Sequence, residues 1–346
     1  MRTSVELNDG RSQPVFDGAL GLALATGTPL RLRGPLQGAD LEVALAAVKL
    51  GDPDSVQGAR EQLSHEGAVE FAFPHPRAGL HVLPVSVPAR ALSTLSWPLA
   101  LLGKPSELRL VGPNHVEGAP TFHDLRLGWA PFAAQFGLKL SLELTQAGFA
   151  GEEGEMVAAL DPAPALTPFH LVHRGLLRQV TVVAAVGSGR HEAGLEAAEQ
   201  AVRSLRRQGV SAEAERVPLP MAQGSQGRTR WAVTATAEFE NSVVSISELG
   251  PALNAGDRIA DRLGRFLERR GALDGSTAER LLLPSLLCAG GLGARAGPPP
   301  PCHYTTSDVT SGLIELARLA RRALPVRAVV DGAVGDEGVI VVTPPT

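Results

Sequence analysis

The sequence predicts an α+β protein, and two observations carry the prediction. Short β-like runs alternate with helical stretches in units of roughly 80 residues, the signature of internal repetition. A compact βαββα stretch, about residues 175–268, breaks that rhythm and reads as a small α/β domain inserted before the last unit. The expected organisation is therefore a body made of 1–174 and 269–346 with an insert at 175–268. A chain of 346 residues has room for about two such domains.

The first unit opens with a β-like run Leu20–Ala25, a strand Leu30–Leu32 and a helix Asp40–Leu50, with Asp40 as N-cap and Leu41, Leu45 and Val48 on one face. The second, from about Ala91 to Asp161, carries a helix Ser93–Leu102, a strand Glu107–Val111, a helix Phe122–Phe136, and strands Leu138–Leu144 and Met156–Leu160. The insert reads as strand Gln179–Val186, helix His191–Gln208, strands Ala212–Val217 and Arg230–Glu238, and helix Asp257–Glu268. Its Gly187–Gly189 and Gly224–Gly227 runs are turn signals. The tail gives a helix Ala278–Cys288, a Gly/Pro-rich loop 290–301, a helix Val309–Leu324 and strands Val326–Asp331 and Gly338–Thr343.

Composition bounds the function. Apolar residues at 44% supply a core, and a net charge of −4 removes the simplest argument for a nucleic-acid binder, an overall basic chain. Only three of the 32 basic residues are lysines, a skew that a GC-rich genome produces, so arginine abundance alone says little. Cys288 and Cys302 provide neither a disulfide framework nor a C-x-x-C spacing, which points to a reducing compartment. The sequence has no basic-flanked apolar leader and no apolar run of about 18 residues, so a cytoplasmic protein is expected. Trp97, Trp129 and Trp231 fall on apolar patterns and are expected in the core. His115 and His123 flank a Pro-bearing turn, as capping histidines or as neighbours of a ligand site.

The most unusual local feature is GPPPPCHYTTSD, 297–308. A rigid proline run delivers Cys302, His303 and Tyr304 ahead of a helix that Thr306, Ser307 or Asp308 can cap. His303 is thus expected in a loop near a helix N-terminus, where unpaired N–H groups favour an anion such as phosphate. It is either a nucleophile and proton donor there or a loop histidine bonded to backbone.

ERLLLPSLLCAGG, PPCHYTTSD and LPVRAVVDG, taken in order, resemble the end of the RNA 3′-terminal phosphate cyclase family. Upstream, LVGPNHVEGAP and GLKLSLELTQAGFAGEEGEM resemble the family's Ala-Pro turn and its Arg-Gly-Phe-x-Pro-x-Gly-Gly-Gly block, and LNDGRSQPVFDGALGLALATGTPL resembles its opening. The resemblance implies three repeats, each two helices on a four-stranded sheet, with a small α/β domain inserted before the third. It also implies an ATP-dependent enzyme working with Mg or Mn. A histidine is adenylylated, AMP passes to an RNA 3′-phosphate end, and the neighbouring 2′-hydroxyl closes a 2′,3′-cyclic phosphate. His303 matches the nucleophile, while Pro120, Asp124 and Glu279 match the nucleotide-binding positions.

Several family features are altered. RSQPVFDG after Asp9 and Gly10 lacks the family's glycine run and glutamate, leaving Glu6 or Asp17 as the nearest carboxylates and Arg31 and Arg33 as the nearest cations. Ser276 stands where the family has an adenine-stacking tyrosine, and Glu279 holds its carboxylate one methylene further out. Glu152 and Glu153 occupy the glycine-rich block, where they repel phosphates. Two functions remain: a working cyclase, ranked first, or a cyclase-like protein that binds RNA or a partner in RNA processing or ribosome assembly. The exposed arginine sets Arg203, Arg206 and Arg207, and Arg265, Arg269 and Arg270, are solvated faces or guides for RNA phosphates.

Overall fold

A computed structural model describes residues 4–8, 11–187, 191–222, 230–292, 299 and 301–344. The Gly224–Gly227 turn, Asp9, Gly10 and most of the loop 290–301 lie outside the described residues. The fold is mixed α+β, with four mixed sheets among the described residues.

The N-terminal sheet has the order β1 (Val5–Leu7), β2 (Leu30–Arg33), β3 (Ala68–Phe71), with β1 and β2 parallel across helix α1 (Gln13–Thr26). Helices α2 (Gly38–Gly51) and α3 (Val56–Leu63) precede β3. This sheet has three described strands rather than the four expected. The stretch after β3 carries Pro74 and Pro76, which cannot donate to a ladder. The run Leu20–Ala25, expected as β-like, belongs to α1. That helix is buried from Val15 to Leu24 save Asp17, so it shows no polar face and its period is hidden in the sequence. Gly18 and Gly21 let it approach the helices Ser311–Ala323 and Gly275–Ala289 closely, because a Cβ at either would fall inside Leu316 or Leu283.

The second sheet is ordered β4 (Leu80–Pro84), β5 (Ser106–Val111), β7 (Glu155–Leu160), β6 (Leu140–Gln146), with β4 and β5 parallel across α4 (Pro88–Ala100). The helix expected over 122–136 is continuous but composite: α5 (Phe122–Asp124), a π-helical turn Leu125–Trp129, then α6 (Ala130–Gln135). Trp97 and Trp129 are fully buried with ring centroids 6.1 Å apart, and Trp231 is buried in a separate core, as expected.

The C-terminal sheet runs β14 (Arg327–Asp331), β15 (Gly338–Thr343), β13 (Cys302–Thr306), β8 (His170–Leu171), covered by α9 (Gly275–Ala289) and α10 (Ser311–Ala323). The segment Cys302–Thr306 is thus a strand and not a loop: Cys302, Tyr304 and Thr306 alternate buried with His303 and Thr305 half-buried. Helix α10 starts later than expected, with Thr310 as N-cap accepting from Leu313 N at 3.1 Å. Thr306 instead closes a turn by accepting from Asp308 N at 3.2 Å.

The fourth sheet, β10 (Glu213–Pro218), β9 (Leu177–Val186), β11 (Trp231–Phe239), β12 (Val243–Leu249), is covered by α7 (His191–Arg207) and α8 (Ala255–Glu268) and has its own hydrophobic core. Strand β12 is not expected from the sequence, and it walls a cavity of about 1160 Å³.

Candidate functional site: a cavity between the helices of the body and strand β12

One cavity of about 1160 Å³ is bounded by α1, α4, α9, the turn 116–121, β12 and α8. That is room for a nucleotide, since small-molecule sites typically span about 300 to 1,000 Å³. Of the expected site residues, Pro120, Asp124 and Glu279 all line it. No histidine lines it among the described residues.

His303 stands elsewhere. Tyr304, its neighbour on β13, points to the helical side and donates its hydroxyl to Ala278 O on α9 at 3.2 Å. Successive strand residues face opposite ways, so His303 faces away from α9 and the cavity. Its amide donates to Phe169 O at 2.8 Å, and it pairs in register with His170 of β8. The expected loop beside a helix N-terminus is replaced by a sheet position because β15 and β8 flank the segment on both sides.

Asp124 is committed to protein partners. One oxygen accepts from Thr121 N at 2.9 Å and Thr121 Oγ1 at 3.1 Å, closing a capping box on α5. The other accepts from Ser247 Oγ at 2.7 Å and Ser245 Oγ at 3.2 Å on β12. Burial pushes its carboxyl up, against the pull of those hydrogen bonds. Glu279 accepts from Thr310 Oγ1 at the head of α10, and burial pushes its carboxyl up also. Gly312 makes room for it, since a Cβ there would run into its Oε1.

The floor carries a buried ion triad that was not foreseen. Arg90 of α4 binds Asp17 of α1 through two nitrogens, Nη2 to Oδ1 at 2.7 Å and Nε to Oδ2 at 2.9 Å, and Asp40 of α2 at 2.7 Å. Asp17, noted from sequence only as a nearby carboxylate, is pushed up to about 6, by burial first, with Arg90 opposing and Asp40 adding to the rise. Glu6, the other nearby carboxylate, pairs with Arg33 at 2.5 Å away from the cavity. Glu152 pairs with Arg230 at 2.9 Å, so its charge is answered from the start of β11 rather than directed at a phosphate.

Arg280 of α9 lies among the carboxyl groups. Its charge draws down Asp17, Asp124 and Glu279, though in each the effect is smaller than that of burial. Its guanidinium donates to Ser276 Oγ at 2.7 Å, where the family resemblance places a tyrosine. The histidines of the Pro-bearing turn, His115 and His123, are buried with ring centroids 6.0 Å apart. Burial holds them down at about 3 and about 4, so both are neutral and packed outside the cavity lining.

The family model described as RNA 3′-terminal phosphate cyclase matches residues 64–330, and the chain belongs to that family. It is 28% identical over 308 residues to an RNA 3′-terminal phosphate cyclase of Ralstonia nicotianae, covering 84% of each chain. It is 26% identical over 292 residues to one from Ectopseudomonas mendocina, covering 80% of this chain and 83% of the relative. A third relative of the same name, from Nostoc punctiforme, is 26% identical over 206 residues, 58% of each chain. Among the described residues no helix is long and apolar enough to cross a membrane.

The triad makes two predictions. Replacing Arg90 by Met strands Asp17 without its partner and is expected to cost about 3 to 5 kcal/mol in urea unfolding. Asp17 holds its proton more tightly folded than unfolded, so its share of stability is greatest below about pH 4 and is lost as pH rises through about 6. The stability of wild type relative to Asp17→Asn should therefore fall by roughly 3 kcal/mol from pH 4 to pH 7. A difference that stays flat over that range removes the assigned shift.

Proposed function

We propose that the chain takes RNA 3′-phosphate ends into this cavity and converts them, with ATP, to 2′,3′-cyclic phosphates. The reading is supported by family membership over 64–330. The observation that carries it is the meeting of Pro120, Glu279 and Arg280 in one nucleotide-sized cavity. ATP, when bound, supplies the adenylyl group that gives the terminal phosphate a leaving group. Pro120 offers an apolar surface to a base, and Arg280 offsets phosphate charge. Glu279, raised by burial, takes the proton that the 2′-hydroxyl loses. A divalent ion that accompanies ATP would need only one or two carboxylates beside the phosphates, so Mg or Mn is proposed as carried in with the nucleotide.

A second reading is a cyclase-like protein that binds RNA ends or a partner without turnover. One observation favours it: the cavity lacks an imidazole among the described residues. Incubation with labelled ATP, Mg or Mn, and matched RNAs ending in 3′-phosphate or 3′-hydroxyl separates the two. The enzyme is expected to give a phosphatase-resistant cyclic end and an acid-labile AMP adduct. An adduct that persists in His303→Ala moves the nucleophile away from His303. Binding without conversion at saturating ATP and Mn, whether or not the phosphate end is preferred, overturns the enzyme and leaves the second reading in its place.

The unit 175–268, with its separate core, is proposed as an insert, and the three remaining sheets with their helices as copies of one unit. Replacing 175–268 by a short Gly/Ser linker should leave a soluble body that unfolds cooperatively. A molten product overturns the boundary.

A further inference from the structure

Four arginines gather on one wall of the cavity, with Glu248 and Glu268 as the carboxylates on the same side. Helix α8 and the residue that follows it present Arg258, Arg262, Arg265 and Arg269, spaced four, three and four apart, all on the cavity lining. That spacing places them on one helical face. Over eleven residues at 1.5 Å per residue the stripe is about 16 Å long, with neighbouring guanidiniums rooted about 5 to 6 Å apart.

The four are not equally engaged. Glu248 of β12 takes both Arg258, at 2.5 Å, and Arg262, at 3.1 Å. Arg269 donates to Gly335 O at 2.9 Å and Ser307 O and stands 3.8 Å from Asp308. Arg265 meets only a carbonyl of its own helix, Asp261 O at 3.4 Å, among the described interactions. Each remains available to an anion, with side chains of Arg258, Arg262 and Arg269 between 41% and 48% exposed.

We infer that this face of α8 is a track for the sugar-phosphate backbone of single-stranded RNA, leading the 3′ end toward Arg280 on α9. The inference rests on the proposal that an RNA end enters the cavity. The rooted spacing is close to the step between successive phosphates of an extended strand, so the stripe spans about three nucleotides. Single-strand grooves are built in this way, as cationic walls that follow the backbone without reading bases. The stripe also resolves the overall charge of −4: phosphate affinity is local to one wall.

Fluorescence anisotropy on the full chain tests this, using labelled single-stranded RNAs of two and eight nucleotides with 3′-phosphate or 3′-hydroxyl ends, titrated across salt. The octamer should bind tighter than the dinucleotide. Arg265→Ala should weaken the octamer roughly fivefold and lower the slope of log K against log salt by about 0.7, leaving the dinucleotide unchanged. Arg203→Ala, on α7 outside the cavity, should change neither. Equal affinity for both lengths, or an unchanged slope in Arg265→Ala, overturns the track. So does an oligo-glutamate peptide that displaces the octamer at a lower concentration than unlabelled octamer does. If length and salt dependence hold while both ends bind equally, the track stands and the 3′-phosphate reading falls. If phosphate ends are still preferred while Arg265→Ala is silent, the track alone falls.

Discussion

The cavity depends on one carboxylate. Asp124 sits where the turn 116–121 meets β12, and its two oxygens answer four donors, two from Thr121 and two from the serines of β12. Without that seam the cavity has only one wall. Its neighbours reinforce the joint: Gly128 lies against Ser245, and Thr121 Oγ1 reaches Ser247 Oγ at 3.2 Å. Arg174, at the entry to the segment 175–268, lies 4.9 Å from the ring centroids of Phe239 and Phe266 and donates to Phe266 O and Leu267 O at 2.8 Å. It thereby fixes the C-terminal end of α8, where the arginine stripe ends. The lone pairs of Asp124 are thus answered by protein donors, which ties the turn 116–121 to β12.

The floor follows a related logic with opposite economy of charge. Arg90 is almost fully buried and would be intolerable alone, but it holds three helices together through Asp17 and Asp40. Bidentate geometry to Asp17 fixes the azimuth of α1, and α1 in turn carries the close contacts with α9 and α10 that bring Glu279 and Arg280 to the cavity. The same triad withdraws a guanidinium from ligand binding, since both its carboxylate partners are already in place. Phosphate charge entering the cavity must be met by Arg280 and α8 instead.

Much of the fold was legible because amphipathic elements announce themselves. Strand Gly338–Thr343 and the insert helices were recovered nearly to the residue, since one face is apolar and the other polar. Helix α1 was misread because burial on every side erases the period, and α3, β3 and β4 were missed as short elements on exposed edges. Strand β12 carries a usable signal, with Val244 and Ile246 buried and Ser245 and Ser247 between them, in a stretch to which the sequence reading assigns no element. Family resemblance located Pro120, Asp124 and Glu279 in one cavity, and it could not locate His303. Whether a strand residue faces a site is decided by parity within its ladder, and a one-residue difference reverses the face.

That parity bears on chemistry. His303 lies on the face of β13 opposite Tyr304, the residue whose hydroxyl meets α9. The groups that do face the cavity are of another kind: carboxyls held up by burial, a guanidinium among them, and a cationic wall leading inward. Such a set is suited to an anionic group such as a phosphate and to moving protons near it. Electrostatics also orders the two walls. Phosphates approaching over α8 are attracted, whereas those nearer Asp274, Glu279 and Asp308 meet carboxylates, so the strand is held to one side and its terminus is drawn toward Arg280. The division of charge between α8 and α9 therefore supplies direction, which a uniformly basic cleft would not.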